Sequence, residues 1–141
     1  MCLPSSKQRH LSRRGRSGMV IGWGATSKER SSQLLRELQL PVVSKKVCQA
    51  AYVHQYNITK SMFCAGTKYG ILDTCKGDSG GGFLFFDHKK KKWTVQGIVS
   101  WGGNTCGEAG KYSVYTKVSL FTHWIRTQIQ RSEYSEHHRS A

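Results

Sequence analysis

The sequence is poor in proline, poor in acidic residues and free of long apolar segments. No stretch of its 141 residues approaches the roughly 20 consecutive apolar residues of a transmembrane helix, so no membrane span is expected. Two prolines against 15 glycines favour an all-β fold with many tight turns. Apolar residues make up 38%, enough for a packed core, which argues against global disorder. Nothing at the N-terminus resembles a signal peptide, because Met1–Pro4 leads directly into a basic stretch.

The scarcity of acidic residues leaves a strong positive charge. Eight Asp and Glu oppose 22 Lys and Arg, for a formal net charge of +14. One interpretation is a surface for a polyanion such as a glycosaminoglycan, and the plainer alternative is solvated loops. No zinc-finger spacing, aromatic RNP-like strand or helix-turn-helix pattern is present, so no specific nucleic-acid partner is predicted. The clusters are Lys7, Arg9, Arg13, Arg14 and Arg16, and the run Lys89–Lys92.

Short apolar stretches between glycines and polar loops predict about six strands and two helices. Ser44 is a candidate N-cap for a helix to about Tyr52, and Ser119 for an amphipathic helix over residues 120–130. Trp124 and Ile129 in that helix predict a docking face rather than a cofactor site. Strand–helix–strand alternation is missing, which argues against a parallel α/β sheet. The predicted strands cover residues 19–24, 34–43, 61–65, 81–86, 93–101 and 112–118.

The segment Asp73–Gly81 carries the clearest chemistry. Ser79 lies between small neighbours that leave its hydroxyl accessible, and Gly77 allows the backbone amides to face a substrate carbonyl oxygen. The same residues satisfy G-x-S-x-G, the nucleophile motif of α/β-hydrolases, which requires a helix directly after the serine. Glycines and then Phe83–Phe86 follow instead, and these predict a strand. A plainer alternative is that Ser79 is an inert turn serine.

The segment Gly77–Gly81 resembles the nucleophile motif of trypsin-like (chymotrypsin-fold) serine proteases. The resemblance extends from Cys2 to about Ile129, and Cys106–Gly110 is most similar to complement and lectin-pathway proteases, with invertebrate clotting proteases second. It implies an all-β fold, the second six-stranded antiparallel β-barrel of a double barrel, with a short intermediate helix and a C-terminal helix. Five further motifs agree in order: Gly22–Gly24, Met62–Gly66, Gly97–Gly102, Val114–Val118 and Trp124–Ile125.

The predicted organisation has three parts. Residues 1–18 form a basic lead-in, residues 19–130 the barrel half of the peptidase domain, and residues 131–141 a polar tail. The resemblance implies no metal and no cofactor.

The resemblance also assigns roles around the nucleophile. Ser79 would attack the substrate, and the backbone N–H groups of Gly77 and Ser79 would bind the oxyanion. Asp78 would pair with the N-terminal amine that zymogen cleavage releases. The implied function is a serine endopeptidase.

The implied substrate is a protein with Arg or Lys at the cleaved position. Asp73 would lie at the floor of the specificity pocket and select the cation, although a plain surface carboxylate is the alternative. Ser100, Trp101 and Gly102 would pair with the substrate main chain as an added strand. Ser113 stands where relatives usually have glycine, so it should narrow the pocket.

The general base and its orienting carboxylate are missing from the sequence. In the family both precede the serine, and no histidine here has the Ala-Ala-His-Cys context. We therefore expect a fragment that is inactive without an N-terminal β-barrel half. The alternative is a non-catalytic module that binds polyanions or protein partners through its basic loops. The six histidines are His10, His54, His88, His123, His137 and His138.

The five cysteines leave at least one thiol without a partner inside the chain. The resemblance implies disulfides Cys48–Cys64 and Cys75–Cys106, and it implies that Cys2 is unpaired here and bonds to an upstream chain. Disulfides suggest that the parent enzyme is extracellular. A glycosylation acceptor sequence, Asn57–Thr59, matters only in a secreted chain. Gly18 and Phe85 occupy both positions of a further family disulfide.

Overall fold

The computed structural model describes residues 1–137, with side chains except at Ser6 and residues 133–137. Short 3-10 helices cover Ser6–Ser12 and Val118–Leu120. Two α-helices are present in the described residues, α1 (Lys45–Ala51) and α2 (Thr122–His137). The strands are β1 (Ser17–Gly22), β2 (Arg36–Pro41), β3 (Met62–Ala65), β4 (Gly82–Asp87), β5 (Lys92–Trp101) and β6 (Ser113–Lys117).

The six strands form one antiparallel sheet in the order β2-β1-β4-β5-β6-β3. A further antiparallel bridge pairs Val42, just after β2, with Ala65 of β3. This bridge joins the two outer strands and rolls the sheet into a barrel, so that both edges are paired at that end. The predicted six-stranded antiparallel barrel with a short helix and a C-terminal helix is confirmed. Across the described residues, no helix has the length and apolar character needed to cross a membrane.

Aromatic side chains fill the barrel interior. β4 alternates buried and half-buried residues, which places Phe83 and Phe85 inside. Phe83 packs against Tyr115 of β6, with ring centroids 4.6 Å apart. Gly18 of β1 faces the rings of Phe83 and Phe85. A Cβ at Gly18 would lie 2.6 Å from each of these two rings, closer than atoms can pack. The ring of Phe85 thus fills the space beside Gly18.

The first helix follows the sequence prediction. The side chain of Ser44 accepts a hydrogen bond from the amide of Val47, 3.2 Å away, and α1 ends at Ala51. A disulfide joins Cys48 of α1 to Cys64 of β3. The hydroxyl of Tyr52 donates to the carbonyl of Tyr112 at 2.6 Å, so α1 is attached to the barrel at two points.

The N-terminal segment is more ordered than its sequence suggests. Cys2 pairs with Thr94 beside β5, and Leu11 is buried in the barrel core. The side-chain amide of Gln8 donates to the carboxylate of Asp87 at 2.7 Å. Only one apolar residue of the 3-10 helix is buried, so the sequence contains no apolar periodicity that could predict it.

Asp87 is a buried carboxylate with three hydrogen-bond donors. The Gln8 side chain, followed by the amides of Lys90 and Lys89, lowers the pKa of the Asp87 carboxyl below its usual value. Because this pKa is lower in the folded chain, the carboxylate stabilises the fold above the unfolded pKa of about 3.9. That contribution is lost as the pH falls through the folded pKa.

The variant Asp87→Asn should therefore show a flatter acid dependence of stability than the parent chain. Urea denaturation at a series of pH values measures it, and we expect the parent's free energy of unfolding to fall more steeply below about pH 4. Glu37→Gln at an exposed carboxylate is the matched control and should keep the parent's profile. Parallel profiles for Asp87→Asn and the parent would contradict the role of Asp87.

The C-terminal helix α2 is longer than the predicted residues 120–130, because a polar surface does not end a helix that contains no Gly or Pro. Its predicted docking face stays open to solvent. Trp124 is 62% exposed, Ile129 49% and Phe121 40%. Residues 138–141 of the predicted tail lie outside the described residues.

Candidate active site

The segment Asp73–Gly81 is a loop between β3 and β4 that is fixed at both ends. A disulfide joins Cys75 to Cys106, with Cα atoms 5.4 Å apart. The amide of Gly80 donates to the carbonyl of Val99 in β5 at 2.9 Å. The two disulfides are the pairs that the resemblance implies, and Cys2 is a free, exposed cysteine.

Ser79 lies exposed at the turn of this loop. Gly77 has φ of +98°, a conformation that residues with a side chain rarely adopt. Within the part of the chain that the structure describes, the amides of Gly77 and Ser79 and the hydroxyl of Ser79 make no hydrogen bond. A serine hydroxyl can attack a carbonyl carbon, and free amide donors that face the carbonyl oxygen can stabilise the resulting oxyanion.

Asp78 points away from solvent, toward the Gly22–Gly24 turn. Its carboxylate accepts hydrogen bonds from the amides of Gly24 and Cys75, at 2.9 and 3.0 Å. A Cβ at Gly22 or Gly24 would overlap these carboxylate oxygens, which explains the glycines at both positions. A cavity of about 950 Å³ lies alongside, lined by both Asp73 and Asp78.

Asp73 is half-buried and held by two donors. The hydroxyl of Ser113 donates to one carboxylate oxygen, and the amide of Gly107 donates to the other at 2.9 Å. Thr74 Oγ1 lies 2.7 Å from Ser113 Oγ and 3.5 Å from the hydroxyl of Tyr115. One arrangement of the hydroxyl hydrogens satisfies all of these groups. In it Tyr115 donates to Thr74, Thr74 donates to Ser113, and Ser113 donates to Asp73. Burial raises the pKa of Tyr115, so its hydroxyl remains a donor at neutral pH.

The end of β5 lies next to Ser113. The register between β5 and β6 shifts between Val99 and Trp101, so Ser100 is an extra, bulged residue. The ring of Trp101 packs against Tyr52, with centroids 4.9 Å apart. A Cβ at Gly102 would lie 3.6 Å from Ser113 Oγ, so Gly102 is a direct neighbour of the Ser113 side chain. The bulge leaves Ser100 without a partner residue in β6.

No histidine of the described residues contacts Ser79. The ring of His10 is bonded to the Lys7 carbonyl at 2.9 Å, and His88 contacts Phe86. The side chains of His137 and His138 lie outside the described residues. Among the described residues, no cluster of His, Cys, Asp and Glu is placed to hold a metal ion.

Three polar groups of the pocket were not singled out from the sequence as site residues. They are Thr74, Tyr115 and the amide of Gly107. Thr74 adjoins Asp73 in the chain, which was a usable signal. The other two lie in the motifs Cys106–Gly110 and Val114–Val118, but nothing in either motif indicates that its residue contacts the chain around Asp73.

Comparison with known proteins identifies the family. A protein-family model described as Trypsin matches residues 1–125. Clotting factor C of Tachypleus tridentatus is 39% identical over 137 residues, which cover 92% of this chain and 13% of that protein. Mannan-binding lectin serine protease 1 of Homo sapiens is 35% identical over 127 residues, which cover 89% of this chain and 18% of that protein. The chain thus spans less than a fifth of either relative. Since the Trypsin model covers all six strands of the barrel and the whole loop around Ser79, the chain belongs to the trypsin family of serine proteases.

Proposed function

We propose that this chain supplies the nucleophile, the oxyanion hole and the specificity pocket of an endopeptidase that cleaves after Arg and Lys. The observation that carries the proposal is the loop of Ser79, whose hydroxyl lies exposed beside the unoccupied amides of Gly77 and Ser79. Ser79 Oγ attacks the substrate carbonyl carbon, and the two amides stabilise the oxyanion. The intermediate expels the amine and leaves an acyl-serine, which water then hydrolyses.

This chemistry needs a base that takes the proton from Ser79 and then gives it to the nitrogen of the leaving amine. We assign the base and its orienting carboxylate to an N-terminal β-barrel that packs on this chain, and we expect the 141-residue chain to be inactive alone. Exposed apolar side chains near the Ser79 loop support such a partner. Trp23 is 56% exposed and Leu35 53% exposed, and burying them would favour association.

Asp73 is proposed to bind the basic side chain of the substrate. Its carboxylate is half-buried, so a cation offsets its desolvation better than a neutral group. The Ser113 hydroxyl already donates to it, so the substrate's cation competes with this contact. Ser113 therefore weakens the preference for Arg and Lys without reversing it.

Asp78 is proposed to control activation. Its carboxylate lines the cavity of about 950 Å³, and backbone amides satisfy it in the present state. An N-terminal amine released by cleavage would enter this cavity and pair with the carboxylate. The exchange of partners would move the residue next to Ser79 and so adjust the oxyanion hole.

We place the longer protein outside the cell. The chain contains two disulfides, which persist in oxidising compartments. Asn57 in the acceptor sequence Asn57–Thr59 is exposed, as a glycosylated asparagine must be.

The test combines this chain with an N-terminal β-barrel that carries the family's His and Asp. Hydrolysis of arginyl, lysyl, phenylalanyl and aspartyl peptide esters is compared between the combination and the chain alone. We expect activity in the combination only, on the two basic substrates. Ester hydrolysis by the chain alone, or a folded but inactive combination, would contradict the proposal and favour a non-catalytic module.

Two substitutions at Ser113 separate its hydrogen bond from its volume. Ser113→Gly should raise kcat/KM for the arginyl ester about tenfold, because a hydrogen bond to a charged group is worth roughly 1.5 kcal/mol or more. Ser113→Ala should recover part of this gain, since it removes the hydroxyl and keeps the Cβ. An unchanged preference in both variants would contradict the role of Ser113.

A further inference from the structure

A cavity of about 300 Å³ at the ends of β2 and β6 is lined by positive charge. It lies between the start of α1, the loop before β3 and the chain that follows the first 3-10 helix. No acidic residue lines it among the described residues. Five cationic side chains from four separate segments do: Arg13, Arg14, Lys45, Lys60 and Lys117.

This arrangement disfavours the charged form of the Lys117 amine in β6. Its side chain is half-buried, and desolvation, followed by the charge of Lys45, lowers the pKa of its amine. Within the part of the chain that the structure describes, neither lysine forms an ion pair. Like charges held together around a cavity without a counter-charge are relieved when an anion enters it.

The positive surface continues from this cavity along the chain. The segment between Arg13 and Arg16 is fixed on the end of β2, because the amide of Gly15 donates to the carbonyl of Val42 at 3.0 Å and the Val42 amide to the Arg16 carbonyl at 2.8 Å. Arg16 and His88 line a second cavity of about 290 Å³. His88 directly precedes the exposed lysines of the β4–β5 loop. The two clusters of the sequence therefore meet on one surface.

We call this surface the basic track, defined as Lys45, Lys60, Lys117, Arg13, Arg14, Arg16 and Lys89–Lys92. Its nearest acidic residue along the chain is Asp87, which is buried and bonded to Gln8 and to the amides of Lys89 and Lys90. Asp87 holds the first 3-10 helix against the lysine loop, so it joins the two halves of the track.

We propose that the basic track binds a sulfated polysaccharide, with one sulfate in the cavity of Lys45, Lys60 and Lys117. A polymer with regularly spaced anions matches a row of cations better than a single ion does, because each contact adds to the binding. Single-stranded nucleic acid would use exposed aromatic rings on which bases stack. Phe63 in this cavity is only 7% exposed, whereas Trp93, which follows Lys92 and lines the second cavity, is 39% exposed, so single-stranded DNA is a competitor in the test. The proposal does not depend on catalysis by Ser79.

The test measures binding of a fluorescent heparin oligosaccharide to the full chain over a series of NaCl concentrations. Neutralising the cavity with Lys45→Gln, Lys60→Gln and Lys117→Gln together should weaken binding about tenfold or more and reduce the log–log salt slope by about three. The double variant Lys45→Gln, Lys60→Gln changes exposed positions only and should reduce the salt slope by about two. It keeps the proposal testable if replacing the half-buried Lys117 prevents folding. Neutralising Lys89–Lys92 should also weaken binding.

The matched control removes three exposed cations that do not line either cavity. The variant Lys28→Gln, Arg30→Gln, Lys68→Gln has the same net charge as the cavity variant and should bind within about threefold of the parent. Equal losses in the control and the cavity variant would overturn the proposal. Equal binding of desulfated heparin, or of single-stranded DNA of matched charge, would overturn the assignment to a sulfated polysaccharide.

Discussion

Ser79→Ala in the combination of this chain with an N-terminal β-barrel is expected to lower kcat for an arginyl ester by roughly 10⁴-fold or more. The substitution removes the oxygen that we propose forms the acyl intermediate, while the proposed specificity pocket around Asp73 stays in place. The dissociation constant for the arginyl ester should therefore change much less than kcat. Stopped-flow kinetics with an arginyl p-nitrophenyl ester measures both, because the parent's acylation step releases a burst of nitrophenol.

The control for this prediction is an exposed serine far along the sheet. Ser17→Ala at the start of β1 keeps every group of the Ser79 loop and should leave kcat unchanged. Retention of kcat within tenfold in Ser79→Ala would show that another residue is the nucleophile. Competition with p-aminobenzamidine, a cationic probe, tests whether the variant's pocket is intact, and its affinity should match the parent's.

Removal of the Cys75–Cys106 disulfide is expected to cost about 4 kcal/mol of unfolding free energy. The bond closes a loop of 31 residues, and the chain-entropy estimate for that length gives this value. The double variant Cys75→Ala, Cys106→Ala replaces both partners, so that neither is left as an unpaired thiol. Guanidinium denaturation in the absence of reductant measures the loss.

The other disulfide serves as the matched control. Cys48–Cys64 closes only 16 residues, so the corresponding double alanine variant should lose about 3 kcal/mol. The two variants should differ more in ligand binding than in stability. Losing Cys75–Cys106 frees the loop of Asp73 and should weaken p-aminobenzamidine binding, whereas the Cys48–Cys64 variant should retain it. The reverse order of binding losses would contradict the bracing role of Cys75–Cys106.

Features that depend on neighbouring residues were predictable. Ser44 caps α1 as its sequence context indicates, and the hairpin around Lys89–Lys92 forms between β4 and β5. Boundaries were less predictable. β1 begins at Ser17 rather than at residue 19, since a strand continues as long as its partner offers hydrogen bonds. Helix α2 likewise passes the predicted end at residue 130.

Contacts between distant segments were not predictable from local patterns. Gln8 and Asp87 are 79 residues apart, and neither belongs to a motif that would mark the other. Ser113 was expected to narrow the pocket by its volume, and its hydroxyl was not expected to donate to Asp73, 40 residues earlier. Both contacts exist because a closed barrel brings the ends of separate strands together.

The amino-acid sequence by itself determined about six short strands through local apolar patterns, and its ordered motifs carried the resemblance that implied the family, the barrel and the loop of Ser79. Only the tertiary structure determined how the positively charged side chains are arranged on the surface. In sequence, the scarcity of acidic residues leaves two basic clusters more than 70 residues apart, Lys7–Arg16 and Lys89–Lys92. Closure of the barrel joins them through Asp87 and adds Lys45, Lys60 and Lys117 from other segments. Electrostatic energy depends on distance in space and not on distance along the chain, so this surface could be found only in the folded molecule.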